Sequence, residues 1–497
     1  MTSMLPRLTL AAERQPRLRR LLLPLLVGIA GFAVSLPGIT TASVWYDEAA
    51  TITSATRSWS QLAEMVGTVD AVHAAYYVLM HLVFDLVGYS PLSLRLPSAI
   101  AVGVTAALLV VLGRQFGRQR LGVIAAIVFI VLPRTTWMAT EGRSYAITAL
   151  LAVVLTIALV HAVHTRSRRA WVLYAVAVVV SCVVFIYLAL IVVAQAVALL
   201  WWWAGNRRTT APALRRWTAS IAVAALVVTP FALIVMGQSG QVHWLPATGA
   251  DTVEQVLLTQ WYYTSVPFAV VGWALTVVGC VLLVRRRGLS LGALVVPAIV
   301  VPTALLVAVS VAMPLYTPRY ASMCLPFVAL AIGAALDRVP SRVPIVVAIA
   351  ALVALAIPQA VEQRQPEARE YSAWQEVSDW IATDRTSGGD AAFVYGNVYG
   401  HPTATARVIA YAYPEGFADS VDATIATPAA ETGQLWETTL PLATTLDRLD
   451  PVDSVYLVTS TSRDQRPAVT ATLLADGWRI AETADFSYVH VVRFDRE

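Results

Sequence analysis

The sequence predicts a polytopic α-helical membrane protein that carries a small soluble α/β domain at its C-terminal end. Hydrophobic residues make up 58% of the 497 residues and charged residues only 13%, which excludes an ordinary soluble domain. Long apolar runs alternate with short clusters of arginine, and this alternation stops after Pro358. From residue 360 onward the composition is mixed and polar, which is typical of a folded domain outside the bilayer.

The arginine clusters indicate how the chain crosses the membrane, because positively charged loops stay on the cytoplasmic side. The net charge of +4 is therefore explained by topology, and we expect no nucleic-acid partner. About 20 apolar residues cross a bilayer, and eleven spans can be placed with every arginine cluster inside. The predicted spans are about 21–39, 94–112, 121–133, 146–164, 171–187, 188–204, 217–236, 264–284, 289–313, 321–336 and 343–358.

The first outer loop, about 40–93, contains a second apolar segment, Tyr76–Val87. This segment is too short to cross and carries His81 and Asp85. Only one inward crossing fits between residues 40 and 113 if Arg114 is cytoplasmic. We therefore expect Tyr76–Val87 to form an amphipathic helix at the outer interface.

The predicted domains are a transmembrane catalytic domain, 1–359, and an extracytoplasmic α/β domain, 360–497. The second domain has β-rich runs at 391–395, 454–459 and 488–494, with helical patterns at 372–383 and 469–476. The chain contains no lysine, which suggests a GC-rich bacterial genome. We expect a multi-pass protein of a bacterial plasma membrane, with its site on the outer side.

Two adjacent acids, Asp47 and Glu48, follow the first span directly. Ionisable residues at the edge of a bilayer are costly and usually functional. One carboxylate would serve as the general base for a hydroxyl nucleophile; we assign this role to Asp47, with Glu48 supporting it. The alternative is that both acids only favour the start of a helix over residues 48–55.

Asp70 and His73 lie one helical turn apart at the start of the predicted interfacial helix, and Tyr77 follows them. We expect the acid and the histidine to share a face and to contact a substrate. The alternatives are a capped helix with a surface histidine, or a metal site. No second histidine occurs at i+4, so we predict no metal.

A further acid and arginine, Glu141 and Arg143, stand beside Tyr145 at the outer end of the third span. Such a pair can orient sugar hydroxyls and a phosphate near the membrane surface. The alternative is a structural ion pair at the start of a helix.

Arg319 and Tyr320 form a lone basic and aromatic pair at another outer rim. Guanidinium groups bind phosphate oxygens in a bidentate manner, so Arg319 is our candidate for a lipid-linked phosphate. The alternative is a snorkelling arginine. His243 and Trp244 lie in a Gln-rich outer loop and are candidates for binding a sugar, with an aromatic belt as the alternative.

This ordered set of residues resembles the GT-C glycosyltransferases, in particular the family 39 group that includes protein O-mannosyltransferases and bacterial aminoarabinose transferases. The resemblance covers about residues 20–330. It rests on Asp47-Glu48, Asp70–Tyr77, Leu94–Ser98, Glu141–Tyr145 and Arg319-Tyr320. It implies a sugar donor linked to polyprenyl phosphate, an inverting single displacement and a catalytic acid within the first outer loop. The prolines common after the family's histidine are replaced by Ala74 and Ala75.

The resulting hypothesis is a transferase without metal or cofactor that moves a sugar, with mannose favoured, from polyprenyl phosphate. Its acceptor would be a cell-envelope glycan, lipoglycan or protein, and it would also contact membrane lipid. An arabinofuranosyltransferase is the alternative within the same class. A lipid-linked sugar flippase and a membrane-anchored binding protein are the alternatives of other classes.

Overall fold

The computed structural model describes residues 17–205, 207–242, 247–284, 289–385 and 390–496. The helices up to residue 362 share an apolar composition and are, in chain order, α1 (Arg17–Ser35), α2 (Tyr46–Ala55), α3 (Trp59–Thr68), α4 (Ala74–Val87), α5 (Pro91–Gln115), α6 (Gln119–Val131), α7 (Pro133–Ala139), α8 (Tyr145–Thr165), α9 (Arg168–Val184), α10 (Ala189–Gly205), α11 (Arg207–Gly237), α12 (Ala250–Glu254), α13 (Gln260–Tyr262), α14 (Val266–Val284), α15 (Leu291–Ser310), α16 (Leu325–Leu336) and α17 (Arg342–Glu362).

Each of the eleven predicted spans coincides with a helix or with two consecutive helical segments. Among the described residues, eight helices are long and apolar enough to cross a membrane, and the bent pair α6–α7 would make a ninth. The helices α1 and α9 coincide with the two other predicted spans. The prediction of a polytopic helical membrane protein is confirmed.

The bend between α6 and α7 measures 67° and falls at Pro133. Proline has no backbone N–H and cannot continue the hydrogen-bond ladder of the preceding helix. The bend places α7 beside the segment that joins α17 to the C-terminal domain.

The bundle helices approach one another closely at glycine. A Cβ on Gly279 of α14 would lie 1.8 Å from the carbonyl oxygen of Ala331 in α16, and one on Gly103 of α5 would lie 2.7 Å from the carbonyl oxygen of Gly28 in α1. Such contacts are how membrane helices associate without a hydrophobic driving force between them.

Helices α2, α3 and α4 occupy the predicted first outer loop. α4 has 14 residues, too few to cross a bilayer, as predicted. One face of α4 is buried, including Tyr77 and Phe84, while Leu82 and Leu86 on the other side are exposed. An exposed apolar face is what a helix lying in a membrane interface presents to lipid.

The C-terminal domain contains strands and helices in alternation. Its elements are α18 (Trp374–Asp384), β1 (Ala391–Tyr395), β2 (Asn397–Val398), β3 (His401–Thr405), α19 (Arg407–Ala412), β4 (Val421–Asp422), β5 (Ile425–Thr427), β6 (Thr438–Thr439), β7 (Ser454–Ser460), α20 (Arg466–Ala475), β8 (Trp478–Phe486) and β9 (Val489–Arg496). Five strands form one mixed sheet in the order β4-β1-β7-β9-β8. β4, β1 and β7 are parallel, and β9 and β8 complete the sheet in antiparallel pairs. The predicted small α/β domain is confirmed.

The C-terminal domain packs on the first loop. Val44 and Ile52 share one buried apolar cluster with Val408 of α19. Arg57 donates hydrogen bonds to the backbone carbonyls of Gln434 and Leu435. The last long helix continues to Glu362, and the division of the chain at residue 359 stays a prediction.

Candidate active site

Asp47 and Glu48 lie in the first turn of α2. Neighbouring positions on a helix are about 100° apart around its axis, so the two side chains enter different surroundings. Both carboxylates stand at the positive end of the helix dipole. The contacts of each acid therefore decide its role.

Glu48 is held by Arg95 of α5. Arg95 donates from Nε to Glu48 Oε1 at 2.7 Å and from Nη2 to Oε2 at 2.6 Å. The backbone N–H of Gly142 donates to Oε1 at 2.7 Å. Both side chains of the ion pair are 0% exposed, and Arg95 also donates to three backbone carbonyl groups in the segment 39–43. These contacts fix α2 against α5 and the loop between α7 and α8.

Asp47 faces the other way, toward Arg319. Its Oδ2 lies 3.0 Å from Arg319 Nη1, and the guanidinium of Arg319 lies 5.4 Å from the centroid of the Trp45 ring. Arg143 donates from Nη1 to the backbone carbonyl of Asp47 at 3.2 Å. Burial opposes the negative charge of Asp47, but Arg319 and Arg143 outweigh it and hold the pKa of this carboxyl below its ordinary value.

Arg143 connects Asp47 to a second acid. Its Nη1 also donates to the hydroxyl of Tyr77 at 3.2 Å, and Tyr77 donates to Asp70 Oδ2. Burial raises the pKa of Asp70, although Arg143 and the hydrogen bond from Tyr77 act against this rise. The structure therefore brings four predicted residues into one polar network.

His73 does not share a helical face with Asp70, contrary to the expectation from their spacing. α4 begins at Ala74, and Asp70 adopts a left-handed conformation with φ of 58°, so a tight turn separates the two residues. His73 is buried, and its ring lies 6.1 Å from that of Phe185. Burial, followed by the charge of Arg143, lowers the pKa of His73 well below its usual range.

Glu141 accepts a hydrogen bond from Trp45, which lies two residues before Asp47 in the sequence. Trp45 Nε1 donates to Glu141 Oε1 at 2.9 Å, and Oε2 lies 3.1 Å from Nη1 of Arg369. Burial raises the pKa of Glu141 to about 7, even though Arg369 favours the charged form. Glu141 thus pairs with an arginine distant in the sequence, while Arg143 faces Asp47 and Tyr77.

Aromatic rings line the network on one side. Tyr145 and Tyr320, both predicted, have ring centroids 6.4 Å apart. Tyr187, from the turn between α9 and α10, stacks on Tyr320 at 5.1 Å. His243 and Trp244 lie outside the described residues. Gln238, a few residues before them, accepts from the backbone N–H of Ala71 at 2.8 Å.

A cavity with about 730 Å³ of open space is lined by Arg319, the ion-pair partner of Asp47. Its wall carries three arginines, Arg134, Arg319 and Arg369, together with the ring of Trp45. Within the described part of the chain, Nε of Arg134 and Nε of Arg369 are buried without a hydrogen-bond partner. A cavity of this kind suits an anion with several oxygens.

Sequence reasoning missed Arg95, Arg134 and Arg369 as site residues. Arg95 was noted only as part of the stretch Leu94–Ser98. Arg134 follows Pro133 directly at the end of a predicted span, and an arginine at that depth is a signal that could have found it. Arg369 lies in a segment without periodicity, and only the fold brings it to Glu141.

Among the described residues, no three histidine, cysteine, aspartate or glutamate side chains are grouped so that they could hold a metal ion. The metal-independent reaction stays a prediction. No known protein family model matches the sequence, and no curated protein matches it.

Solved structures of three membrane proteins match the fold. ArnT from Cupriavidus metallidurans bound to undecaprenyl phosphate has 13% sequence identity and a TM-score of 0.56, over 96% of this chain and 98% of that chain. The arabinofuranosyltransferase AftD from Mycobacteria has 18% identity and a TM-score of 0.51, over 96% of this chain and 40% of that chain. The archaeal oligosaccharyltransferase AglB from Archaeoglobus fulgidus has 12% identity and a TM-score of 0.50, over 93% of this chain and 73% of that chain.

These matches show that the chain has the GT-C fold, which is the fold of ArnT. The match to ArnT extends over both the helical part and the C-terminal domain. Membership of family 39 in particular stays a prediction.

Proposed function

We propose that this protein is an inverting glycosyltransferase that takes a sugar, with mannose favoured, from a polyprenyl-phosphate carrier. The acceptor is a glycan, lipoglycan or protein of the cell envelope, on the outer face of the membrane. The observation that carries this proposal is the contact between Asp47 and Arg319 at the edge of a cavity lined by arginine. A base for the acceptor and a cation for the leaving phosphate stand side by side there.

The cavity with Arg134, Arg319 and Arg369 supports a phosphate. Three guanidinium groups can bind several phosphate oxygens at once and stabilise the charge that develops as the carrier leaves. An apolar groove along α14 and α15, with about 860 Å³ of open space, includes Leu257 and Trp261 of the segment 250–262. The same segment lines the arginine cavity through Thr259. A cationic cavity beside an apolar groove suits a phosphate that bears a long isoprenoid chain.

Asp47 is the proposed base. In the displacement, the acceptor oxygen forms a bond to the anomeric carbon, and the bond from that carbon to the phosphate oxygen breaks. The hydroxyl proton passes to Asp47, and the electron pair leaves with the phosphate toward the arginines. An ion-paired carboxylate with a low pKa is a weak base. A donor phosphate that binds Arg319 would loosen this pair and raise the pKa of Asp47 when the donor is present.

Glu48 and Glu141 are proposed as positioning residues. Glu48 holds the start of α2 through Arg95, and Glu141 holds Trp45 and Arg369. Arg143, Asp70 and Tyr77 hold the backbone of Asp47 from the opposite side. His73, Tyr145 and Tyr320 would contact the sugar, and the same role is proposed for His243 and Trp244.

The arabinofuranosyl alternative is supported by the fold of AftD, which matches 96% of this chain. Purified protein incubated with labelled polyprenyl-phosphate mannose and, separately, polyprenyl-phosphate arabinose would distinguish the two donors. We expect sugar transfer from one donor to an envelope glycan fraction. Transfer from neither donor, with both bound, would favour a flippase or a binding protein.

The phosphate site has its own test. We expect Arg319→Gln to weaken binding of undecaprenyl phosphate by about tenfold or more, because a charge-assisted contact contributes about 1.5–3 kcal/mol. Arg338→Gln, at the predicted cytoplasmic end of α16, is the control and should bind normally. Equal binding by both variants would remove Arg319 from the phosphate site.

A further inference from the structure

A second cavity, which is shallow and open to solvent, lies between the C-terminal domain and the start of α2. It shares Trp45, Arg369 and Glu370 with the arginine cavity. The two cavities are therefore neighbours that share Trp45, two residues before Asp47. A displacement with inversion needs the nucleophile and the leaving group on opposite faces of the sugar carbon, so separate entries for the acceptor and the donor suit this reaction.

Three tyrosines from three separate segments meet in this second cavity. Tyr399 lies in the turn between β2 and β3, Tyr488 in the turn between β8 and β9, and Tyr371 in the segment before α18. The ring centroids of Tyr399 and Tyr488 are 4.0 Å apart, and those of Tyr371 and Tyr488 are 5.5 Å apart. Tyr371 is 61% exposed and Tyr399 is 39% exposed. Exposed aromatic faces of this kind suit stacking on a flat apolar partner.

Polar groups also line the cavity. They include the side chains of Asn397 and Ser487. His401 and Glu370 add a ring nitrogen and a carboxylate, 3.7 Å apart. A lining of aromatic rings with a few polar groups is typical of a small-ligand site. Sugar rings, with apolar faces and hydroxyl edges, have the matching pattern.

The backbone around the cavity is strained. Glu370, Tyr371 and Tyr488 have φ of 50°, 58° and 54°, in the left-handed region that non-glycine residues rarely adopt. Such residues tend to cluster where a ligand is held. Two of the three tyrosines of the cavity, Tyr371 and Tyr488, have this backbone conformation.

The cavity is linked to Asp47 through Tyr46. The ring of Tyr46 stacks on His401, with centroids 3.4 Å apart and an interplanar angle of 1°. Trp436 donates to the Tyr46 hydroxyl at 3.2 Å. A ligand beside His401 would thus lie next to the residue that precedes the proposed base.

We propose that this cavity is an acceptor site that binds a glycan, with sugar rings stacked on Tyr399, Tyr488 and Tyr371. The inference rests on the proposed glycosyltransferase function and specifies its acceptor as carbohydrate. It also assigns the C-terminal domain the task of presenting an acceptor hydroxyl to Asp47.

The test is a binding measurement that needs no catalysis. Short mannose and arabinofuranose oligosaccharides are added to the full chain in detergent, and binding is followed by saturation-transfer NMR. We expect at least one oligosaccharide series to bind, and Tyr399→Ala and Tyr488→Ala to weaken its affinity by roughly three- to tenfold. Tyr399→Phe keeps the ring and should bind normally. Ile480→Ala, an exposed position on β8, is the matched control.

Unchanged affinity in both alanine variants would overturn the proposal. Binding of an acceptor peptide, with no oligosaccharide bound, would also overturn it. A sugar-transfer assay on the same samples separates this inference from the enzyme function. If the cavity binds the acceptor, we expect Tyr399→Ala to raise KM for the acceptor and to leave kcat near normal. Loss of oligosaccharide binding in Tyr399→Ala, with transfer absent even in the unmodified chain, would keep the binding site and remove the enzyme function.

Discussion

Asp47 and Glu48 are adjacent in the sequence, yet their partners give them opposite properties. Both carboxylate oxygens of Glu48 accept hydrogen bonds, and its ion pair with Arg95 is fully buried. Asp47 keeps 15% of its side chain exposed and has an arginine partner that a phosphate can attract. These contacts support the assignment of the base to Asp47.

The first prediction at this scale concerns Arg95. Removing it leaves the buried carboxylate of Glu48 without a counter-charge, which costs about 3–5 kcal/mol of stability. We expect Arg95→Ala to lower the free energy of unfolding by that amount, measured by thermal unfolding in detergent. Arg479→Ala, at an exposed position on β8, is the control. Equal stability of the two variants would contradict the anchoring role.

The second prediction concerns the pH dependence that Glu141 causes. Its pKa is about 7 in the folded protein, against an ordinary value of 4.5, so the folded state binds more protons than the unfolded state between these values. Stability should therefore fall as pH rises from 4.5 to about 7, and the loss is complete above that range. Thermal unfolding measured across this pH range should show a smaller fall in stability for Glu141→Gln than for the unmodified chain. The variant Glu376→Gln, at an exposed position, should behave like the unmodified chain. If the stability of Glu141→Gln depends on pH as strongly as that of the unmodified chain, the raised pKa of Glu141 is contradicted.

At the scale of elements, α2 organises the site. Its first turn holds both acids, its buried face packs on α4, and α19 of the C-terminal domain lies against it. Arg369, in the segment after α17, contacts Glu141 of the α7–α8 loop and donates to the backbone carbonyl of Trp137 in α7. The site therefore combines the helical bundle with the segment that follows α17, and its geometry depends on how tightly the bundle packs.

The third prediction tests this packing at Gly279. A methyl group there would overlap the carbonyl oxygen of Ala331, so α14 and α16 would have to separate. We expect Gly279→Ala to destabilise the protein by about 1–3 kcal/mol, as overpacking does. The control is Gly67→Ala, where nothing lies within 4 Å of the added methyl group. Similar melting temperatures for the two variants would show that the contact is not tight.

For the whole molecule, the sequence predicted the architecture well because each part of it depends on local composition. Apolar runs and arginine clusters were enough to place the helices, and the segment Tyr76–Val87 was recognised as too short to cross the membrane. In the five-stranded sheet the strands β4 and β8 were not predicted, and the short strands β2, β3, β5 and β6 outside it were not predicted either. β4 is two residues long, and β8 is largely exposed, so neither gives an apolar run.

The sequence predicted which residues belong to the candidate site better than it predicted the contacts between them. Asp47, Arg143 and Arg319 were recognised because charged residues at a membrane edge are unusual. Their partners come from contacts between residues far apart in the chain, such as Glu141 with Arg369 or Glu48 with Arg95. Spacing in the sequence cannot report such contacts, and the left-handed conformation of Asp70 likewise removed the helical face expected for His73.

Asp47 is proposed to remove the proton from the acceptor hydroxyl. The most direct test is single-turnover sugar transfer by purified Asp47→Asn, with donor binding and thermal stability measured on the same sample. We predict that the donor still binds, the fold is intact and the transfer rate falls by about 10²–10⁴-fold, the usual contribution of a general base. Transfer within a few-fold of the unmodified chain would contradict the account.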